Sequence, residues 1–241
     1  MALAAVAAFA GAAVQSATGF GFALVLSPAL FAVMDPVEAV TALLVLGLAL
    51  NLLVLFESGR PEHVDWRALA PILVAALPGL AIGAVALTEL SKEVLQVAVG
   101  LAVIAAAGWQ LRERARGHRP LPPAAAWGAG FASGVLTTSI SVSGPPLVLW
   151  LEARGVRPEE FRASLAASFL ALNVAGGVIL FAAEGTGAFE AGAVAVLLAL
   201  VVAGYALGAV GFRRLDHERF FRIVLLLVAV TGAASVAAGL V

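Results

Sequence analysis

Charged positions divide the chain into eight uncharged stretches: residues 2–34, 39–56, 68–88, 94–111, 120–151, 163–183, 191–212 and 223–241. Six of them are 18–22 residues long, close to the roughly 20 helical residues that span a bilayer's hydrocarbon. The other two, of 33 and 32 residues, are too long for one crossing. The first of these breaks at Thr18-Gly19-Phe20-Gly21 and the second at Ser141-Val142-Ser143-Gly144-Pro145. Arms such as 3–17 and 20–33 are about 21 Å long at about 1.5 Å per residue, short of a core about 30 Å thick. Each long segment is therefore either two full spans or a re-entrant hairpin of two half-helices, and the arm lengths favour the hairpin.

The pattern occurs twice. A shift of 122 residues lays Phe9-Ala10 on Phe131-Ala132, Pro36 on Pro158, Glu38 on Glu160 and Leu50-Asn51 on Leu172-Asn173. After a three-residue insertion the offset is 125, and Gly79, Gly83, Leu90 and Glu93 meet Gly204, Gly208, Leu215 and Glu218. The sequence thus predicts a first repeat over 1–115, with hairpin 2–34 and helices 36–57, 67–89 and 93–112. A linker over 116–121 leads to a second repeat over 122–241, with hairpin 122–153 and helices 158–183, 190–212 and 217–241. Internal repeats of this kind build many secondary transporters.

Composition fixes the class. At 62% hydrophobic and 12% charged, the chain reads as an all-α polytopic membrane protein, with the lipid bilayer as its surroundings. Basic residues mark cytoplasmic loops. Alternating outward from Arg112, Arg114, Arg116 and Arg119 places all 13 arginines on the cytoplasmic side and Lys92 alone outside. That alternation requires each long segment to enter and leave on one face, so the two repeats are expected to be inverted and both termini to lie outside. One lysine beside 13 arginines suggests a bacterial cytoplasmic (inner) membrane. Residues 1–33 contain no Lys or Arg and so lack the basic start of a signal peptide; they are expected to stay in the mature protein.

The breaks carry the candidate chemistry. Irregular backbone at membrane depth is tolerated where it is buried or lines a cavity, and half-helix N-termini there offer free N–H groups and partial positive charge to an anion. The candidate substrate-binding residues are Gln15, Ser16, Thr18, Gly19, Phe20 and Gly21 at the first break, and Thr138, Ser139, Ser141, Ser143, Gly144 and Pro145 at the second. Asn51 and Asn173, equivalent under the repeat, are placed to support the two tips. The first tip keeps its amide hydrogens, whereas Pro145 and Pro146 have none, so hydroxyls must serve at the second. The competing reading is that Ser and Thr bond their own backbone or join helices. Gly79/Gly83 and Gly204/Gly208 read as packing faces, Tyr205 as a cavity cap or a packing residue, and Trp66, Trp109, Trp127 and Trp150 as an interfacial belt.

GFGFALVLSPAL (19–30), its counterpart SGPPLVLWL (143–151) and the tandem repeat of about 120 residues resemble the TauE/SafE family of membrane permeases, the sulfite exporter family. The resemblance covers essentially the whole chain, although the second break has Ser-Gly-Pro-Pro where the family pattern is richer in glycine. It implies secondary transport of a small sulfur-containing anion, sulfite or an organosulfonate such as sulfoacetate. A passive anion channel, or a permease for another small anion or weak acid such as a carboxylate, stays open beside it. An enzyme is not expected: His63, His118 and His217 fall in loops, and no Lys, Asp or Glu lies deep in a span to act as base. No cysteine is present, and no cofactor, metal or nucleic-acid partner is expected; homo-oligomerisation is left open.

Overall fold

The computed structural model describes residues 2–58, 64–116, 121–184, 191–211 and 217–240. Every regular element among them is a helix. In chain order they are α1 (Ala2–Thr18), α2 (Phe22–Val33), α3 (Pro36–Ser58), α4 (Trp66–Glu89) and α5 (Lys92–Arg116). Then follow α6 (Ala125–Ile140), α7 (Gly144–Ala153), α8 (Pro158–Glu184), α9 (Ala191–Gly211) and α10 (His217–Leu240). Among the described residues α3, α4, α5, α8 and α9 are long and apolar enough to cross a bilayer. The chain is an all-helical, multi-pass membrane protein. Of the three histidines, His63 and His118 lie outside the described residues, and His217 opens α10 rather than lying in a loop.

The two long uncharged segments are broken helices. α1 and α2 have 17 and 12 residues, and α6 and α7 have 16 and 10. At about 1.5 Å per residue none exceeds about 26 Å, below a hydrocarbon core of about 30 Å. α1 packs on α2 and α6 on α7, so each segment doubles back on itself.

Small residues bring the helices together, as expected where lipid removes the hydrophobic drive and close backbone approach supplies the attraction. α4 lies along α6, and α1 along α9. A Cβ on Gly79 would stand 3.0 Å from the Val135 nitrogen of α6, and one on Gly204 would stand 3.0 Å from Phe9 Cα of α1. Gly83 likewise abuts Val135 and Thr138, and Gly208 abuts Ala13 and Ser16. Gly79 and Gly204 are related by the 125-residue offset, and Val135 and Thr138 sit 122 positions after Ala13 and Ser16. Each half's hairpin therefore rests on the other half's glycine-bearing helix, through matching residues.

α3 packs on α8 and α5 on α10, while Leu77, Ile82 and Val85 of α4 and Val196, Leu207 and Val210 of α9 remain exposed. Trp66, Trp109 and Trp127 are exposed, as a belt requires, but Trp150 is not. It is only 3% exposed, with the Arg154 guanidinium 4.9 Å from its ring centroid and that guanidinium paired to Asp65 at 3.1 Å.

Candidate solute-binding site

At the first tip, α1 ends at Thr18 and α2 starts at Phe22. The Gly19 amide still donates to the Gln15 carbonyl at 2.8 Å, after which Gly19 and Gly21 turn the chain at φ 83° and 109°. A side chain on Gly21 would also meet Val14 Cγ1 at 2.8 Å, so this turn needs glycine for conformation and for space. The Thr18 hydroxyl accepts from the Phe20 amide at 3.3 Å and lies 3.0 Å from the Val14 carbonyl, which holds the turn. The Val25 amide donates to the Gly21 carbonyl at 3.3 Å, leaving the preceding first-turn amides of α2 without i−4 partners.

The second tip is built differently. The Ser141 amide donates to the Thr137 carbonyl and the Val142 amide to the Leu136 carbonyl, both at 3.1 Å; the first is the C′-to-C3 bond of a left-handed (αL) helix termination. Its left-handed position, usually glycine, is Ser141, at φ 58° and ψ 23°. Among the described residues no other non-glycine has positive φ. α7 begins at Gly144 and continues with Pro145 and Pro146, which have no amide hydrogen to offer. The Ser143 carbonyl accepts from Ser133 Oγ at 3.1 Å and the Ile140 carbonyl from Ser27 Oγ at 2.8 Å, fixing the tip to α6 and α2. The hydroxyls of Ser141 and Ser143 make no hydrogen bond to the described residues.

The tips face one another across a cavity of about 40 Å³, room for roughly three waters at about 10–15 Å³ each. Its lining combines Gln15 of α1, Phe20 to Leu24 of the first tip, and Leu43, Gly47 and Asn51 of α3 with Ser141 to Gly144 of the second tip and Phe169 and Asn173 of α8. Phe20 closes over Gly144, its Cδ2 4.0 Å from where a Cβ would stand there. Among the described residues no titratable side chain lines the cavity.

Of the fourteen sequence candidates, Gln15, Phe20, Gly21, Asn51, Ser141, Ser143, Gly144 and Asn173 come together on this one cavity. The others do not line it. Ser16 donates to the Ala13 carbonyl at 2.8 Å and faces Gly208 of α9. Thr138 donates to the Leu80 carbonyl of α4 at 2.7 Å and Ser139 to the Val135 carbonyl at 2.6 Å, so both hydroxyls serve packing and their own helix. Thr18 shapes the turn, Gly19 packs on Arg162, and Pro145 is the second residue of α7, outside the lining. Tyr205 is not a cap: it is buried on α9, and its hydroxyl donates to the Glu57 carboxylate at the end of α3.

The repeat-related asparagines differ in state. Gln15 Nε2 donates to Asn51 Oδ1 at 2.9 Å, and Asn51 Nδ2 donates to the Gly47 carbonyl at 2.7 Å. The residue 122 positions after Gln15 is Thr137, whose shorter side chain bonds the Ser133 carbonyl at 2.6 Å instead. The Asn173 amide is left with no hydrogen bond to the described residues. It projects over Gly47, where an added Cβ would lie 2.7 Å from its Nδ2.

One contact at the first tip was missed by sequence reasoning. Arg162, in the second turn of α8, reaches the end of α1 and donates from Nη2 to the Ser16 carbonyl at 2.9 Å. A cation at a helix C-terminus meets carbonyls that lack partners and the negative end of the dipole. The signal was its position directly before the uncharged stretch 163–183; nothing local points from there to residue 16.

Over residues 3–235 the chain matches the family model described as "Sulfite exporter TauE/SafE". The chain belongs to the TauE/SafE family. Among curated proteins it is similar to the "Probable sulfite/organosulfonate exporter TauE" of Cupriavidus necator, with 31% identity over 164 residues. That alignment covers 65% of this chain and 62% of the relative, so the chain spans less than two thirds of the relative's length. No solved structure matches. Membership in an exporter family agrees with a lining in which the amides of Gln15, Asn51 and Asn173 and the hydroxyls of Ser141 and Ser143 stand among aromatic and aliphatic side chains, a set suited to holding a solute.

Proposed function

We propose that this TauE/SafE protein is a secondary transporter that carries a small sulfur-containing anion, sulfite or a short organosulfonate, bound between its two hairpin tips. The observation that carries the reading is the convergence on one small cavity of two half-helix N-termini with the Ser141 and Ser143 hydroxyls and the Asn173 amide, none of which bonds to the described residues. Each helix end contributes roughly 0.3–1 kcal/mol toward an anion, up to about 2 when partly buried. That is far below the cost of fully desolvating a charge. The anion is therefore held by several hydrogen bonds at once, with some of its water retained.

In this reading the hairpins enter from opposite leaflets as inverted repeats, and both termini lie on the outer face of a bacterial inner membrane. Supporting it are the arm lengths, the one-sided arginines and the matched contacts of each hairpin with the other half's glycine helix. Binding is tested by thermal shift of the purified protein against sulfite, thiosulfate, sulfoacetate, taurine and acetate. Counterflow of labelled substrate in proteoliposomes then separates a carrier from a channel. Stabilisation by sulfur oxyanions with saturable counterflow is expected. Stabilisation by acetate alone would refute the substrate class, and flux that never saturates would refute the carrier.

A further inference from the structure

A second cavity, about 190 Å³ against 40 Å³ for the first, lies in a groove between α3 and α8. The two share one residue, Asn173, whose amide makes no hydrogen bond to the described residues. The groove is otherwise almost wholly apolar, with Leu44, Leu48, Gly177 and Phe181 among its walls. Its exception is Thr41. Thr41 is 4% exposed, and its Oγ1 has no hydrogen-bond partner among the described residues. A threonine in a membrane helix ordinarily bonds the carbonyl four residues back, and a buried polar atom left without a partner calls for an explanation.

We propose that this groove is an annex of the tip cavity that takes the carbon chain of a sulfonate, with the Thr41 hydroxyl receiving a polar group at the chain's far end. The inference rests on the reading that the tip cavity holds the sulfur–oxygen head. With the head beside Asn173, the chain passes that amide and runs along α3. Asn173 sits over Gly47, and Thr41 is six residues earlier on the same helix, about 9 Å away along the axis at 1.5 Å per residue. A chain of a few carbons ending in a hydroxyl, amine or carboxyl group fits that interval. Its methylenes meet Leu44 and Leu48, and its terminus gives Thr41 the partner it lacks. Sulfite, having no chain, would leave the annex empty. The arrangement separates recognition of the charged head from selection of the organic part.

The probes are sulfite, methanesulfonate and a series of ω-hydroxyalkanesulfonates of increasing length, measured by calorimetric titration on the full-length protein. Affinity is expected to rise with chain length to a maximum, and the ω-hydroxyl compound at that maximum should bind about ten-fold tighter than its methyl-ended analogue, about 1.4 kcal/mol. Thr41→Val should abolish that ten-fold preference. Gly177→Leu points a side chain into the groove from a position with no atom within 4 Å of the new Cβ. It should weaken the longest sulfonates at least ten-fold and leave sulfite within two-fold. If sulfite binds but affinity is flat with chain length, or Gly177→Leu weakens sulfite and sulfonates alike, the annex is refuted and the groove is left to a lipid chain. If neither sulfite nor any sulfonate binds the unaltered protein, the tip-cavity reading fails and the annex falls with it.

Discussion

Ser141→Gly tests the second tip most directly, because it pushes stability and binding in opposite directions. At φ 58° Ser141 holds a left-handed conformation that costs an L-residue roughly 1–2 kcal/mol. Glycine removes that cost and adds about 0.5–1 kcal/mol of backbone entropy loss. The solute-free protein should therefore be unchanged or more stable by up to about 1.5 kcal/mol. At about 2–4 °C per kcal/mol for a chain of this size, that is a rise in apparent Tm of at most about 6 °C. The hydroxyl, which has no partner to lose among the described residues, is deleted from the cavity wall. A hydrogen bond to a charged group contributes roughly 1.5–3 kcal/mol, so sulfite affinity should fall about 10- to 150-fold. Ser141→Val serves as the control: a β-branched side chain in the left-handed region is a conformational outlier, so its solute-free Tm should drop. Thermal unfolding with and without sulfite, followed by calorimetric titration of both variants, measures all of these quantities. A Ser141→Gly protein that melts well below the parent, or that binds sulfite within two-fold of it, would refute the reasoning.

Three other expectations concern different parts of the molecule. Arg162→Met removes the charged donor from the Ser16 carbonyl and should lower stability by about 1–3 kcal/mol, seen as a reduced apparent Tm; an unchanged Tm would mean the contact does not hold the first tip. Because no titratable side chain among the described residues lines the cavity, methanesulfonate, which stays ionised, should bind with the same affinity between about pH 5 and pH 8, whereas sulfite should follow its own protonation; a slope with methanesulfonate would expose a titrating group in the site. The chain has no cysteine, so single cysteines placed at Arg116 and Gly187 report sidedness cleanly: the first should react only from the cytoplasm and the second only from outside, and reaction of both from one side would contradict the inverted arrangement.

The helices were legible in the sequence because the property that defines them, an unbroken uncharged run, is local. The breaks were legible for the same reason: Gly19 and Gly21 interrupt one run, and Ser141 to Pro145 the other. What could not be read is how individual polar side chains are partnered, since that depends on residues far away in the chain. Thr138 and Ser141 are three residues apart and look alike in sequence. The backbone of α4 passes close enough to engage Thr138, while the left-handed turn directs Ser141 at the cavity. Trp150 reads as an interfacial tryptophan until Arg154 and Asp65, 89 residues apart, are seen to meet beside it.

The asparagine pair shows where repeat reasoning reaches its limit. Asn51 and Asn173 hold equivalent places, and symmetry alone assigns them equivalent work. The difference arises one helix away, where the first repeat has Gln15 and the second has Thr137. A glutamine is long enough to cross to Asn51 and engage it; a threonine is not, and turns back on Ser133. This one difference in a hairpin leaves Asn51 engaged by Gln15 and Asn173 without a hydrogen bond to the described residues. Restoring the symmetry is a direct check on this: Thr137→Gln should engage Asn173 as Gln15 engages Asn51. It would then weaken solute binding by about the worth of one charged hydrogen bond, roughly 1.5–3 kcal/mol. Unaltered sulfite affinity in Thr137→Gln, with the new amide shown by structure to contact Asn173, would mean that Asn173 is not a solute ligand.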